Sequence, residues 1–453
     1  MVDVARIVVA GTHSGVGKTT VASGLMAALS SKGLRVAPFK VGPDFIDPSY
    51  HTLATGRPGR NLDAFLSGPG MIAPLFAHGA RNADIAILEG VMGLFDGKSG
   101  GGELASTAHV AKLLDAPVVL VVDARAMARS VAAMVHGYKT FDPRLKVSGV
   151  ILNHVGSRAH ENMLRDALKP LHMPVLGVMR RSGNIQTPAR HLGLVPVAER
   201  HAEAERSLDA LGKVISDSVN LDEVLRLARS PEPLTAEPWS PESAEANPAG
   251  AVRVGVAAGS SFSFLYRENL ELLEAAGAEV VTFDPTSDET LPAGTDALYL
   301  GGGFPETYAE ALSANVGMRE DVRNFAAGGR PVVAECGGLL YLARELDGRP
   351  MCGVLDATAR MTGRLTLGYR EALALTDSPL AGAGAEVRGH EFHYSTVDPA
   401  AGEKQAWDLA GRGPEGFVAG GVHASYLHTH WAATPGLPRR LVRAARRAVE
   451  AWV

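Results

Sequence analysis

The chain has 453 residues, 46% of them hydrophobic and 21% charged, with a formal net charge of −5 and two cysteines. That length accommodates two or three domains with sizeable cores. The charge leaves no general basic footprint for nucleic acid, the cysteine count excludes a disulfide framework, and no run of 18 apolar residues offers a membrane span.

The first apolar run, Arg6–Ala10, reads as a strand. It begins so soon that no signal peptide is expected, and two cysteines suit a reducing, cytoplasmic setting. Directly after it comes Gly11-Thr-His-Ser-Gly15-Val-Gly17-Lys18-Thr19-Thr20. A glycine-rich turn between a strand and a helix exposes backbone N–H groups that surround phosphate oxygens. Gly15, Gly17, Lys18, Thr19 and Thr20 are therefore expected to bind ATP, with Lys18 on the terminal phosphates and the Thr19 hydroxyl on Mg²⁺. The spacing departs from the simplest phosphate-loop rule, because Thr12 stands where a glycine would be required. A helix follows to about Ser31.

Further strands are expected at Arg35–Lys40, Ile85–Glu89, Val118–Asp123, Val147–Asn153 and Val175–Val178, with helices between them. The alternation predicts an α/β fold with a parallel sheet covered on both faces. Functional groups then gather at the carboxyl ends of the strands. Two acid-bearing stretches fall there: Pro43-Asp44-Phe-Ile-Asp47-Pro-Ser-Tyr-His51 after the second strand, and Glu89-Gly-Val-Met-Gly-Leu-Phe-Asp96-Gly after the third. Mg²⁺ takes hard oxygen ligands, so Asp44 and Glu89 join Thr19 as candidate metal ligands. Taken alone, each acid fits a helix cap or a turn anchor equally well.

Residues 230–250 hold many prolines and little periodicity and read as a linker between a domain at 1–229 and one at 251–453. A second αβ rhythm follows it, at Val252–Ala257, Glu279–Phe283, Ala297–Leu300 and Pro331–Ala334. Short strands near Arg364–Tyr369 and His390–Thr396 come next, and an arginine-rich helix, Arg439–Trp452, closes the chain with a solvated basic face. The fourth strand of this half runs into Glu335-Cys336-Gly337-Gly338. A cysteine at a turn into a helix is a candidate nucleophile, and the helix N-terminus is expected to lower its pKa. Gly302, Gly303 and Gly337 are candidate oxyanion donors through their N–H groups. Downstream lies Val422-His423-Ala-Ser-Tyr-Leu-His428-Thr-His430, which supplies candidate bases. Cys352 lacks such surroundings and reads as core packing. His390 and His393 have only a superficial likeness to a zinc pair, and no metal is assigned there.

The phosphate loop, the PDFIDPSYH stretch and EGVMGLFDG resemble the cobyrinic (or hydrogenobyrinic) acid a,c-diamide synthases of vitamin B12 biosynthesis, over nearly the whole chain. The resemblance implies a dethiobiotin-synthetase-like P-loop domain followed by a class I glutamine amidotransferase domain. It implies a ligase that uses ATP, Mg²⁺ and L-glutamine to amidate two acetate carboxylates of a corrinoid, with no nucleic-acid or membrane partner; homodimers are common in the superfamily. It places Asp44, Asp47, Glu89 and Asp96 near metal, phosphate and substrate, with Asp47 and Asp96 toward substrate, and Asn153 at the adenine; Asn153 serves equally as a turn residue. It makes Cys336 the nucleophile and His428 its base. The acid that often follows such a base by two residues is replaced by His430. Arg190 and His191 also look familial, without an assignable role. Nickel-sirohydrochlorin a,c-diamide synthase and cobyric acid synthase are the competing members. A partitioning-type P-loop ATPase switch is the competitor from another class, and it would show no glutaminase activity.

Overall fold

The computed structural model describes residues 2–181, 201–241 and 251–450. The Arg190-His191 stretch, the last part of the expected linker and residues 451–452 of the expected final helix lie outside them. The chain forms two compact units, Met1–Ser240 and Pro241–Val453.

The first unit is built on β1 (Ala5–Gly11), β2 (Val36–Val41), β3 (Arg60–Leu62), β4 (Ile85–Glu89), β5 (Val118–Asp123), β6 (Val147–Val155) and β7 (Val175–Arg180). All are parallel, in the order β3-β2-β4-β1-β5-β6-β7. Valine and isoleucine runs suit strands buried on both faces, and Ile7, Val8, Val9 and Ala10 in central β1 are fully buried. The helix α1 (Lys18–Ser31) follows β1, and α2 (Ile46–Thr55) follows β2. The helix His201–Ser218 packs on α1 so closely that a Cβ on Gly24 would lie 2.5 Å from Ile215 Cγ1.

The sequence misses β3, whose three residues, Arg-Asn-Leu, form an edge strand too short and polar to show a period. Residues 230–240, expected in the linker, belong instead to this unit. Leu234 pairs with Val2, and the Arg6 guanidinium reaches Glu232 O at 2.8 Å. Trp239 N donates to Pro74 O at 2.9 Å.

The second unit has β8 (Val252–Ala257), β9 (Ala278–Phe283), β10 (Ala297–Leu300) and β11 (Val332–Glu335). They run parallel in the order β9-β8-β10-β11, and strand Val422–Ser425 extends the sheet beside β11. A second sheet centres on the long antiparallel hairpin Thr358–Ala374 and Glu386–Asp398, with the short strand His428–Thr429 on its edge. Both hairpin strands exceed the stretches expected from sequence, because charged and small residues interrupt their apolar alternation. The final helix begins at Gly436, and its Arg440 meets Asp377 at 3.0 Å.

Candidate active site

The phosphate loop lies at the carboxyl end of β1, the sheet's central strand. Gly15 and Gly17 have φ of 81° and 98°, values that glycine adopts without strain. Gly17 sits at the N-terminus of α1, and Thr20 is buried in the first turn. Lys18 folds back on the loop, with Nζ donating to His13 O at 3.1 Å. Burial, then the neighbouring Lys40 ammonium, hold its pKa below the usual lysine range. The Asn153 side chain, expected at the adenine or in a turn, lies near the end of β6. Its Nδ2 donates to Val16 O at 2.9 Å and its Oδ1 accepts from His154 N at 2.8 Å, one bond at each end of the amide. A Cβ on Gly17 would lie 2.3 Å from that Nδ2. Asn153 thus braces the loop.

Beside the loop is a buried cluster of charge. The Thr19 hydroxyl donates to Glu89 Oε1 at 2.6 Å and lies 3.4 Å from Asp47 Oδ2. Lys40, at the end of β2, donates to Asp47 Oδ2 at 2.5 Å and to Glu89 Oε1 at 3.0 Å. His51 Nε2 meets Glu89 Oε2 at 2.7 Å. Burial opposes the Lys40 ammonium, but Asp47, Glu89 and Asp44 outweigh it and its pKa lies well above the usual value. Burial also opposes the Glu89 charge, yet Lys40 and the bonds from His51 and Thr19 hold its carboxyl below the ordinary range. Asp47 is pushed the other way, by burial and then by the Glu89 charge.

The two acids of the first stretch, Asp44 and Asp47, take different places in the structure. Asp47 joins Thr19 and Glu89. Asp44 spends its Oδ1 on Ile46 N at 2.9 Å and Asp47 N at 3.2 Å, anchoring the first turn of α2, and its Oδ2 stands 3.6 Å from Lys40 Nζ. Asp96 accepts from Gly93 N at 2.9 Å and holds the turn that packs on the loop at Thr12. Among the described residues no group of three His, Cys, Asp or Glu side chains is arranged to hold a metal ion. The Thr19 hydroxyl with the Glu89 and Asp47 carboxylates is nonetheless an all-oxygen set of the hardness Mg²⁺ requires when phosphates complete its shell. Lys40 was missed in the sequence because a lysine closing a strand looks like a solvated end; only the buried acids around it reveal its part.

In the second unit, Cys336 stands between β11 and the short helix Gly337–Leu342, with φ 47° and ψ −97°. Such a left-handed nucleophile marks a sharp, strained elbow. Cys336 N donates to Ser425 O at 2.8 Å, and Sγ lies 3.9 Å from Phe392 O. The expected lowering of its pKa does not occur. Burial pushes the thiol well up, the Glu306 charge adds to this, and the bond from Gly337 N–H pulls only partly back. A helix of six residues in so dry a setting is too weak to reverse it.

His428 sits on the edge of the hairpin sheet opposite His390. The two rings lie parallel, 4.8 Å apart at 10°. Burial, then His393, lowers the His428 imidazole to about 3, so it is neutral at pH 7 and in the form that accepts a proton. Gly302 packs under the ring, where a Cβ would lie 2.2 Å from Cε1. A Cβ on Gly337 would lie 3.0 Å from Gly303 N, so the glycines link the elbow to the base. Of the three expected oxyanion donors, Gly302 is set aside. Its N–H donates to Phe264 O at 3.3 Å in a two-way backbone bridge, whereas Gly303 and Gly337 stay adjacent at the elbow. The neighbouring histidines have structural partners: His430 stands 3.5 Å from Glu268, His423 3.0 Å from Ser378 Oγ, and His393 stacks on Tyr426. Cys352 is fully buried in the core.

Residues 7–195 match the CobQ/CobB/MinD/ParA nucleotide binding domain, and residues 253–436 match the CobB/CobQ-like glutamine amidotransferase domain. A chain that joins the two is a glutamine-dependent amidating ligase. Its relatives narrow the class. The hydrogenobyrinate a,c-diamide synthase of Streptomyces coelicolor is 56% identical, with 98% of each chain covered. The enzyme of that name from Mycobacterium bovis is 52% identical over 97% of each chain. The cobyrinate a,c-diamide synthase of Syntrophotalea carbinolica is 45% identical, covering 96% of this chain and 98% of its own. The chain belongs to the a,c-diamide synthase family.

Proposed function

We propose that this enzyme amidates the a and c acetate carboxylates of hydrogenobyrinate, the metal-free corrinoid, with ammonia taken from glutamine. The observation that carries the reading is the presence in one chain of a phosphate loop beside buried acids and of a cysteine elbow linked through Gly303 and Gly302 to a neutral histidine. The metal-free substrate is favoured by the relatives of 51–56% identity, all named for it, over the 45% relative named for the cobalt form.

In the second unit, the Cys336 sulfur attacks the side-chain amide carbon of glutamine. His428 takes the thiol proton and passes it to the leaving nitrogen, and ammonia departs. Gly303 and Gly337 N–H groups stabilise the oxyanion. Water then attacks the glutamyl thioester, and glutamate leaves as the thiol is restored. Burial raises the thiol pKa, so Cys336 rests as a thiol until His428 takes its proton.

In the first unit, a substrate carboxylate oxygen attacks the ATP γ-phosphorus and ADP leaves, giving an acyl phosphate. Ammonia displaces phosphate from it to form the amide. A carboxylate alone does not react with ammonia at neutral pH, so ATP supplies the leaving group. The loop N–H groups and Lys18 hold the phosphates, and Lys40 stands ready to neutralise charge that develops beside them. Thr19, Glu89 and Asp47 would hold Mg²⁺, which lends Lewis-acid stabilisation to the transferred group.

The test is a substrate panel with ATP, Mg²⁺ and glutamine, read by product mass. Hydrogenobyrinate should give a product carrying two amides, and cobyrinate or nickel-sirohydrochlorin should react far more slowly. Equal rates on the cobalt form would overturn the metal-free assignment. No amidation of any of them, with no glutaminase, would overturn the whole reading.

A further inference from the structure

The residue that precedes the nucleophile is a buried acid outside the chemistry just described. Glu335 ends β11 and is 3% exposed. Its Oε1 accepts from Thr429 Oγ1 at 2.6 Å and from Thr429 N at 3.2 Å. Its Oε2 accepts from Tyr299 OH at 3.1 Å. Thr429 is the residue after His428. One carboxylate thus ties the neighbour of the nucleophile to the neighbour of the base, and it joins the parallel sheet to the hairpin sheet in doing so.

The tie is held from behind. Asn269 Nδ2 donates to Thr429 O at 2.9 Å and to Tyr299 OH at 3.2 Å, and its Oδ1 accepts from Trp431 N at 2.9 Å. Trp431 Nε1 donates to Thr429 Oγ1 at 2.8 Å. Every member is buried, and a buried network with satisfied partners fixes one geometry. An apolar residue at 335 would leave the buried Thr429 N, Thr429 Oγ1 and Tyr299 OH without the acceptor they use. The same acceptor fixes the register between these two strand ends.

We propose that Glu335 is a positioning residue of the glutaminase reaction, setting the placement of His428 relative to Cys336 through Thr429. The inference rests on the assignment of Cys336 and His428 above. Burial pushes the Glu335 carboxyl up to about 7, and a glutamine side chain keeps the acceptor that Thr429 uses. Glu335→Gln therefore separates loss of the charge from loss of the acceptor.

The experiment uses the full-length enzyme and measures glutamine hydrolysis, amidation from ammonium salts, and alkylation of Cys336 by iodoacetamide. In Glu335→Ala, kcat for glutamine hydrolysis should fall about 100-fold while KM for glutamine stays within about twofold, the cost of a misplacement of about 1 Å. Alkylation should slow in parallel, because His428 no longer takes the thiol proton, and ammonia-dependent amidation should be unchanged. Glu335→Gln should recover hydrolysis to within about fivefold of wild type, since the acceptor geometry returns. Thr429→Val removes one of the two bonds to Oε1 with little change in volume. It should lower kcat about tenfold and serves if Glu335→Ala fails to fold. Equal losses in Glu335→Ala and Glu335→Gln, a loss of ammonia-dependent amidation in step with hydrolysis, or full kcat in Thr429→Val would each overturn the proposal. A Cys336→Ala enzyme that still hydrolyses glutamine would instead overturn the site assignment on which it rests.

Discussion

Lys40→Met is the substitution whose consequence the structure sets most tightly. The Lys40 side chain is 4% exposed and lies 2.5 Å from Asp47 and 3.0 Å from Glu89, which are themselves almost wholly buried. Methionine fills the same volume but leaves two carboxylates in mutual repulsion. Removing one partner of a buried ion pair costs about 3–5 kcal/mol. For a unit of this size, each kcal/mol moves Tm by about 2–4 °C, so the ligand-free enzyme should melt roughly 6–20 °C lower at pH 8. The deficit should depend on pH. In wild type, Glu89 has a lowered folded pKa, so its contribution is present above the ordinary carboxylate value and is lost only as pH falls through the folded one. In the variant, burial and the like charge raise both carboxyls, and protonation relieves the strain as pH drops. The Tm gap between the two proteins, read by calorimetry from pH 8 to pH 5, should therefore narrow. A gap under 2 °C at pH 8, or one that stays constant to pH 5, would refute the account of this cluster.

Cys336→Ser should abolish glutamine-dependent amidation and leave ammonia-dependent amidation near wild type, as measured by product mass with each nitrogen source. Lys18→Ala should remove amidation from both sources, because both pass through the acyl phosphate, while glutamine hydrolysis persists. In the absence of glutamine, alkylation of Cys336 should keep accelerating up to at least pH 9, since burial raises the thiol above its ordinary pKa; a plateau below pH 7 would contradict that.

The sequence carried the parts of the fold that rest on local periodicity. The strands that became β1, β2 and β4–β7 are apolar runs, and the loop before α1 is marked by its glycines and Gly17-Lys18-Thr19. What it concealed depends on contacts between distant residues. Glu335 and Thr429 are 94 positions apart, and no pattern links them. Asp44 and Asp47 have the same chemistry in one short stretch, and only the fold shows that the former caps a turn while the latter reaches Thr19. Nothing in the sequence shows that the Gly302 N–H donates to Phe264 O or that the Asn153 amide braces Val16. The direction of the Cys336 thiol pKa is hidden for the same reason: helix position is visible in a sequence and desolvation is not.

The return of residues 230–240 onto the first unit bears on where that unit can be cut. Arg6 is 1% exposed; its Nε donates to Leu114 O at 2.6 Å and its terminal nitrogen reaches Glu232 O at 2.8 Å. A fragment truncated after Arg229 loses that second carbonyl, the Val2–Leu234 bridge and the cover that Trp239 gives His78, whose ring lies 5.0 Å away. It leaves a buried cation short of a partner next to the strand from which the phosphate loop emerges. Ending the fragment at Ser240 retains all three contacts, so excision of the nucleotide-binding unit for separate expression should use the later boundary.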